Sequence, residues 1–156
     1  MKRISFLYLL IMLIASCGST NVNEHYQKDR SSNPIEKRHF LFNFEDESTI
    51  SPVLEKAKSQ KKLIYLDVSA SWCLPCQLMK RDVYTDKQTA DFFNKNFINY
   101  LVDVESDEGP DIKVIFDVKQ LPTLLILNEQ GDVLKRHEGA YYQEDLIRFA
   151  SELINN

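Results

Sequence analysis

Leu63-Ile64-Tyr65-Leu66-Asp67-Val68 is a continuous apolar run interrupted by a single acid. A strand with no polar face belongs in the middle of a sheet covered by helices on both sides. The run leads through a short loop, Ser69-Ala70-Ser71, into Trp72-Cys73-Leu74-Pro75-Cys76 and then into a helical pattern carrying Leu78, Met79 and Val83 on its inner side. A buried strand feeding a helix across a loop that holds two cysteines restricts the chain to an α/β layer architecture with paired thiols at the strand-to-helix turn. Asp67 is the one anomaly in the run.

The flanking sequence extends this pattern. Phe40, Phe42 and Phe44 alternate with Leu41 and Asn43 and predict a short strand. Ser51 and Pro52 predict a helix start, with Ser51 as N-cap, running to about Gln60. Asp86 is the expected N-cap of a helix containing Ala90, Phe92 and Phe93, and residues 97–104 read as the next strand. A short helix is expected after Pro110. Residues 123–127 and 133–136 are strands joined by Asn128-Glu129-Gln130-Gly131, a hairpin signal, and residues 143–154 form an amphipathic closing helix. Helices alternate with strands and the last two strands are antiparallel, so the expected fold class is α/β with a mixed central β-sheet flanked by helices.

The first residues are a different material. Lys2 and Arg3 precede an apolar run over residues 4–15, too short to span a bilayer, which needs about 20 residues. It reads as a secretory signal peptide over residues 1–16. The run ends in Ile14-Ala15-Ser16-Cys17, which resembles the lipobox of bacterial lipoproteins and makes Cys17 the expected lipidation site; the alternative is an ordinary signal peptide with an incidental cysteine. Residues 17–38 are polar, cannot bury enough surface to offset chain entropy, and are expected to form a flexible tether reaching about 25 Å. Residues 39–156 are the expected folded domain. The chain has 156 residues, enough for one compact domain plus this leader. Its formal charge of −4, with bases interspersed among acids, gives no basic stripe for nucleic acid.

Three cysteines in an exported protein leave one unpaired, and acylation of Cys17 would account for it. Cys73 and Cys76 remain, too close in sequence to staple distant parts of a fold. At a helix N-terminus the Cys73 thiolate is favoured by unpaired N–H groups and the helix dipole, and Cys76 lies one turn away, where it can close a disulfide or resolve a mixed one. A CxxC also begins many zinc sites, but zinc wants four ligands, and His25, His39 and His137 are scattered; no metal and no cofactor is expected.

Asp67-Val68-Ser69-Ala70-Ser71-Trp72-Cys73-Leu74-Pro75-Cys76 resembles the active-site segment of thioredoxins. Val118-Lys119-Gln120-Leu121-Pro122-Thr123-Leu124-Leu125 resembles the cis-proline segment of the same family, and Gly131 and Gly139 fit its hairpin and the glycine that follows. The resemblance, which runs from about Leu63 to the C-terminus, implies a thioredoxin fold. It implies Cys73 as the exposed nucleophile, Cys76 as the resolving thiol and Asp67 as a buried acid of raised pKa that exchanges a proton with Cys76. It further implies a cis Pro122 and a Leu121 backbone that pairs with extended substrate. Asp67 read by itself could instead be a carboxylate satisfied by a nearby donor, Pro122 a trans proline at a strand start, and Trp72 either a shaper of the surface around Cys73 or mere packing. Leu74 and Gln77 stand where thioredoxins usually have glycine and lysine. Residues 79–103 look more like domains related to the C-terminal domain of the transmembrane disulfide reductase DsbD.

The function this implies is a thiol:disulfide oxidoreductase, expected to be a monomer anchored to a bacterial membrane with its domain facing the periplasm or cell exterior. Its expected partners are protein disulfides and thiols, an upstream membrane or soluble thiol electron donor, and the bilayer. Pro75 offers Cys73 neither an N–H nor a charge, which leans towards a reductase. A copper- or client-binding module without turnover, and a disulfide oxidase or isomerase, are the alternatives.

Overall fold

The computed structural model describes residues 40–154. The expected signal peptide and the expected tether, with Cys17, His25 and His39, lie outside the described residues. The elements run α1 (Ile50–Gln60), β1 (Leu63–Ser69), α2 (Leu74–Asp82), α3 (Lys87–Asn96), β2 (Phe97–Asp103), α4 (Gly109–Ile115), β3 (Thr123–Leu127), β4 (Val133–Glu138) and α5 (Gln143–Ser151). Among the described residues they form a four-stranded sheet in the order β2-β1-β3-β4. β1 pairs with β2 in parallel and with β3 antiparallel, and β4 closes the antiparallel edge. The expected mixed sheet with flanking helices is present.

The period-2 alternation of β1 divides the core. Ile64, Leu66 and Val68 pack on one face with Val53 and Ala57 of α1 and Ile112 of α4. Tyr65 packs on the other with Met79, Phe93, Leu146 and Phe149 from α2, α3 and α5. Both central strands are buried throughout apart from Leu63, as a strand apolar on both faces requires. The edge strand β4 is largely exposed and carries Lys135, Arg136 and Glu138, charges that discourage a further strand from adding there.

Two elements differ from expectation. Residues 40–44 are not a strand: the only rung they contribute is a parallel bridge between Phe44 and Asn99. Phe42 does point inward and Leu41 outward, so the alternation is real. However, side chains replace the ladder: Asn94 donates to Leu41 O and accepts from Asn43 N–H at 2.8 Å each, while Leu41 N–H reaches Tyr84 O at 2.8 Å. α1 begins at Ile50, two residues before the expected first helical position at Pro52, with Thr49 rather than Ser51 at the N-cap. Thr49 makes no side-chain cap. Glu108 supplies it from across the fold, its Oε1 accepting Ile50 N–H at 2.6 Å and its Oε2 the Tyr100 hydroxyl at 3.1 Å. Pro52 then sits in the first turn, where no N–H is needed. Asp86 caps α3 as expected, accepting from Thr89 N–H at 2.8 Å and from its hydroxyl at 2.6 Å.

Gly109 opens α4 against the backbone of Val104: a Cβ there would stand 2.4 Å from the Val104 carbonyl carbon and oxygen. Because main chain cannot yield as a side-chain tip can, Gly109→Ala should lower stability by about 1–3 kcal/mol. A urea titration checks this, and an unchanged midpoint would mean that the loop over residues 104–108 shifts freely.

Candidate active site

Cys73 and Cys76 form a disulfide with an S–S distance of 2.02 Å. Cys73 is the N-cap residue of α2, and its Sγ accepts the Cys76 N–H at 3.3 Å in the place an N-cap oxygen would take. Pro75 occupies the intervening position in the first turn, so no N–H comes from there. The Cys73 N–H is tied to Ala70 O, and the Gln77 side chain donates to Ala70 O and Ser71 O at 3.2 and 3.1 Å. Gln77, a departure from thioredoxins in the sequence, thus braces the loop that leads into Cys73.

The two sulfurs differ in access. Cys76 is fully buried, whereas Cys73 is 5% exposed and lines a cleft of about 420 Å³ together with Trp72, Leu74, Lys113, Lys119 and Leu121. Trp72 is 66% exposed, and its Nε1 donates to Glu105 Oε1 at 3.0 Å. It therefore shapes the surface beside Cys73 and does not fill the core. Leu74, 69% exposed, adds apolar surface on the same rim.

The Leu121–Pro122 peptide bond is cis. Pro122 O accepts the N–H of Gly139 at 2.8 Å, and Gly139 has a φ of 109°, a conformation glycine adopts without cost. The β1–β3 ladder starts at Val68 and Thr123, so the Leu121 backbone stands outside it at the cleft edge.

Asp67 is fully buried. Tyr84 donates its hydroxyl to Oδ2 at 2.5 Å, and the Tyr65 hydroxyl lies 2.9 Å from that of Tyr84. Oδ1 has no hydrogen-bond partner, nor does the buried hydroxyl of Ser69, two residues along on the same face of β1. Burial pushes the Asp67 carboxyl up to about 6, against the opposing pull of the Tyr84 hydrogen bond and, after it, the Lys80 charge. Burial likewise drives both tyrosines well above their ordinary range, reinforced by the nearby Asp67, so they remain donors across physiological pH. Asp67 thus has a hydroxyl donor on one oxygen and a bare second oxygen.

Residues 21–129 match the thioredoxin-like DsbH family, described as a protein of unknown function, DUF255. Thioredoxin H4 of Arabidopsis thaliana is 37% identical over 93 residues, which span 60% of this chain and 72% of that protein. The chain belongs to the thioredoxin-like superfamily. Among solved structures, a candidate disulphide-isomerase from Bacteroides thetaiotaomicron superposes with a TM-score of 0.63 at 31% identity, covering 71% of this chain and 91% of its own. The thiol:disulfide interchange protein DsbD of Vibrio cholerae is 30% identical over 87 residues, 54% of this chain but 14% of DsbD. The thioredoxin-like fold and the thiol–disulfide oxidoreductase chemistry expected from the sequence follow from these matches.

The thioredoxin-like site brings Cys73, Trp72 and Leu121 to one cleft, buries Cys76 behind Cys73 and sets Asp67 in the core; Cys17 lies outside the described residues. Sequence reasoning missed Tyr65, Tyr84 and Glu105 as partners of the site. Tyr65 was detectable in principle, being two residues from Asp67 and hence on the same strand face. Nothing in the sequence ties Tyr84 or Glu105 to the strand, because those contacts cross between elements.

Proposed function

We propose that this protein is an exported, membrane-anchored disulfide reductase that acts on the disulfides of exported proteins and is recharged by an upstream membrane or soluble thiol donor. Lipid on Cys17 supplies the anchor in this reading. The cap of α2 carries the assignment of direction. Cys73 Sγ receives one backbone hydrogen bond, from Cys76 N–H, and Pro75 contributes neither N–H nor charge. A thiolate stabilised only moderately holds its electrons less firmly and gives the more reducing couple.

In the reduced enzyme the Cys73 thiolate attacks a client disulfide presented along Leu121. The Cys73–client S–S bond forms as the client's own S–S bond breaks and one client sulfur leaves as a thiolate. Asp67 then takes the proton from the Cys76 thiol, and Cys76 Sγ attacks Cys73 Sγ. The Cys73–Cys76 disulfide forms, the second client sulfur leaves with the electron pair and is protonated, and two electrons have passed from enzyme to client.

Two measurements test this. The couple on the folded domain should equilibrate near thioredoxin's roughly −270 mV, with insulin reduced in the presence of dithiothreitol; a value near about −120 mV would make the protein an oxidant. In a bacterial host the full chain should label with palmitate and sediment with membranes, and Cys17→Ser should do neither. Membrane association unchanged by Cys17→Ser would remove the anchor.

A further inference from the structure

We propose that Tyr84, itself held by Tyr65, is the positioning residue of the buried acid, fixing Asp67 through Oδ2 and leaving Oδ1 as the atom that exchanges a proton with Cys76. The proposal rests on the proton-exchange reading above and assigns that role to a particular oxygen and a particular partner.

Tyr84 is locked independently of Asp67. It follows α2 directly; its N–H bonds to Met79 O at 3.0 Å and its carbonyl accepts Leu41 N–H at 2.8 Å. Its ring packs against Phe42 at 4.8 Å, Phe44 at 5.0 Å and Phe40 at 6.1 Å between centroids. Tyr65 is held in the same way, with Phe93 at 4.7 Å. Phenylalanine would fill both places, and burying a hydroxyl is unfavourable unless it is bonded. The two hydroxyls instead run in line to one carboxylate oxygen. With the Tyr84 proton committed to Asp67, Tyr65 is the donor to Tyr84, and the chain has one polarity ending on Oδ2. The residues paired with Asp67 on the neighbouring strands, Leu101 and Leu124, are uncharged, and the charged group facing the carboxyl from α2 is Lys80. Tyr84 is therefore its one hydroxyl partner among the described residues, with Tyr65 behind it, and the three phenylalanines of residues 40–44 cover Tyr84.

Removing the Tyr84 hydroxyl leaves an ionised Asp67 without its one side-chain hydrogen bond, so its neutral form gains. In the oxidised protein, a carbon NMR titration of the Asp67 side-chain carboxyl, identified by its absence in Asp67→Asn, should place the midpoint near 6. Tyr84→Phe should raise that midpoint by about one to two pH units, with a smaller rise in Tyr65→Phe. The acid limb of the mixed-disulfide resolution rate should move with it. A folded Tyr84→Phe protein, judged by near-ultraviolet circular dichroism, whose midpoint stays put would overturn the role of Tyr84. If that variant does not fold, an unmoved midpoint in Tyr65→Phe overturns the array. A midpoint that moves while the rate limb does not would instead overturn the proton-exchange reading itself, and the titration needs neither client nor turnover.

Discussion

Cys76→Ser is expected to arrest the protein on its client as a stable mixed disulfide through Cys73, and Cys73→Ser to form no adduct at all. The asymmetry follows from access. Cys73 opens on the cleft beside Leu121, whereas Cys76 is fully buried behind it and can meet only the sulfur one helical turn away. Once a client is bound to Cys73, release depends on that neighbouring thiol. A positioned intramolecular group has an effective molarity of about 10⁵ M or more, so its loss should slow release by at least about 10³-fold against millimolar external thiol. Non-reducing electrophoresis of the variants with a peptide disulfide, followed by mass spectrometry of the adduct, reads the result directly. Adducts through Cys76 in the Cys73→Ser variant, at a rate comparable with wild type, would reverse the two roles.

Asp67→Asn should raise stability at neutral pH while slowing catalysis. The carboxyl titrates at about 6 in the fold against 3.8 when unperturbed. From pH 4 to 6 the folded protein therefore holds this proton while the unfolded chain has lost it. The stability associated with the neutral acid is complete below pH 4, declines as pH rises through 6 and is absent above, a difference of about 3 kcal/mol. Asparagine keeps an acceptor for Tyr84 and never ionises. Its own amide hydrogens need partners that the Oδ1 side does not offer, which offsets part of the gain. The diagnostic is thus the pH dependence of the difference: urea midpoints of variant and wild type should diverge in the variant's favour between pH 4 and 7. Over the same range the resolution step should be slower in the variant by about 10²-fold at pH 7, with the inflection near 6 abolished, since Cys76 has lost its base. Stopped-flow fluorescence of Trp72, beside the disulfide, would follow it. Parallel stability curves would show that Asp67 is not held neutral to pH 6, and equal rates from pH 5 to 8 would remove the relay.

These two expectations join at one strand. β1 is rigid because both its faces are covered, and that same cover desolvates Asp67. Gln77 and the Cys73 N–H tie the loop leaving β1, so the helix cap and the acid are held in register by a single connection of four residues between Ser69 and Leu74. The cleft side is less constrained. Trp72 and Leu74 stand on it exposed, Trp72 held by a hydrogen bond to Glu105.

The sequence by itself determined the elements whose signals are local. The apolar run of residues 63–68 specified a doubly covered strand, because side-chain periodicity is a property of the strand alone. Asp86 announced a helix start, Gly131 a hairpin, and Trp72-Cys73-Leu74-Pro75-Cys76 a reactive pair at a helix N-terminus, each through chemistry confined to a few neighbouring residues. Tertiary structure decided what crosses between elements. Residues 40–44 carry the alternation of a strand, yet the Asn94 side chain and Tyr84 carbonyl take the bonds a ladder would have used. α1 starts at Ile50 because Glu108, 58 residues away in sequence, accepts its first N–H. The carboxylate of Asp67 was legible as an anomaly in an apolar run. Which oxygen is bonded, by which hydroxyl, and how far burial raises its pKa depend on Tyr84 arriving from beyond α2, a placement set by helix-on-sheet packing that no local pattern encodes.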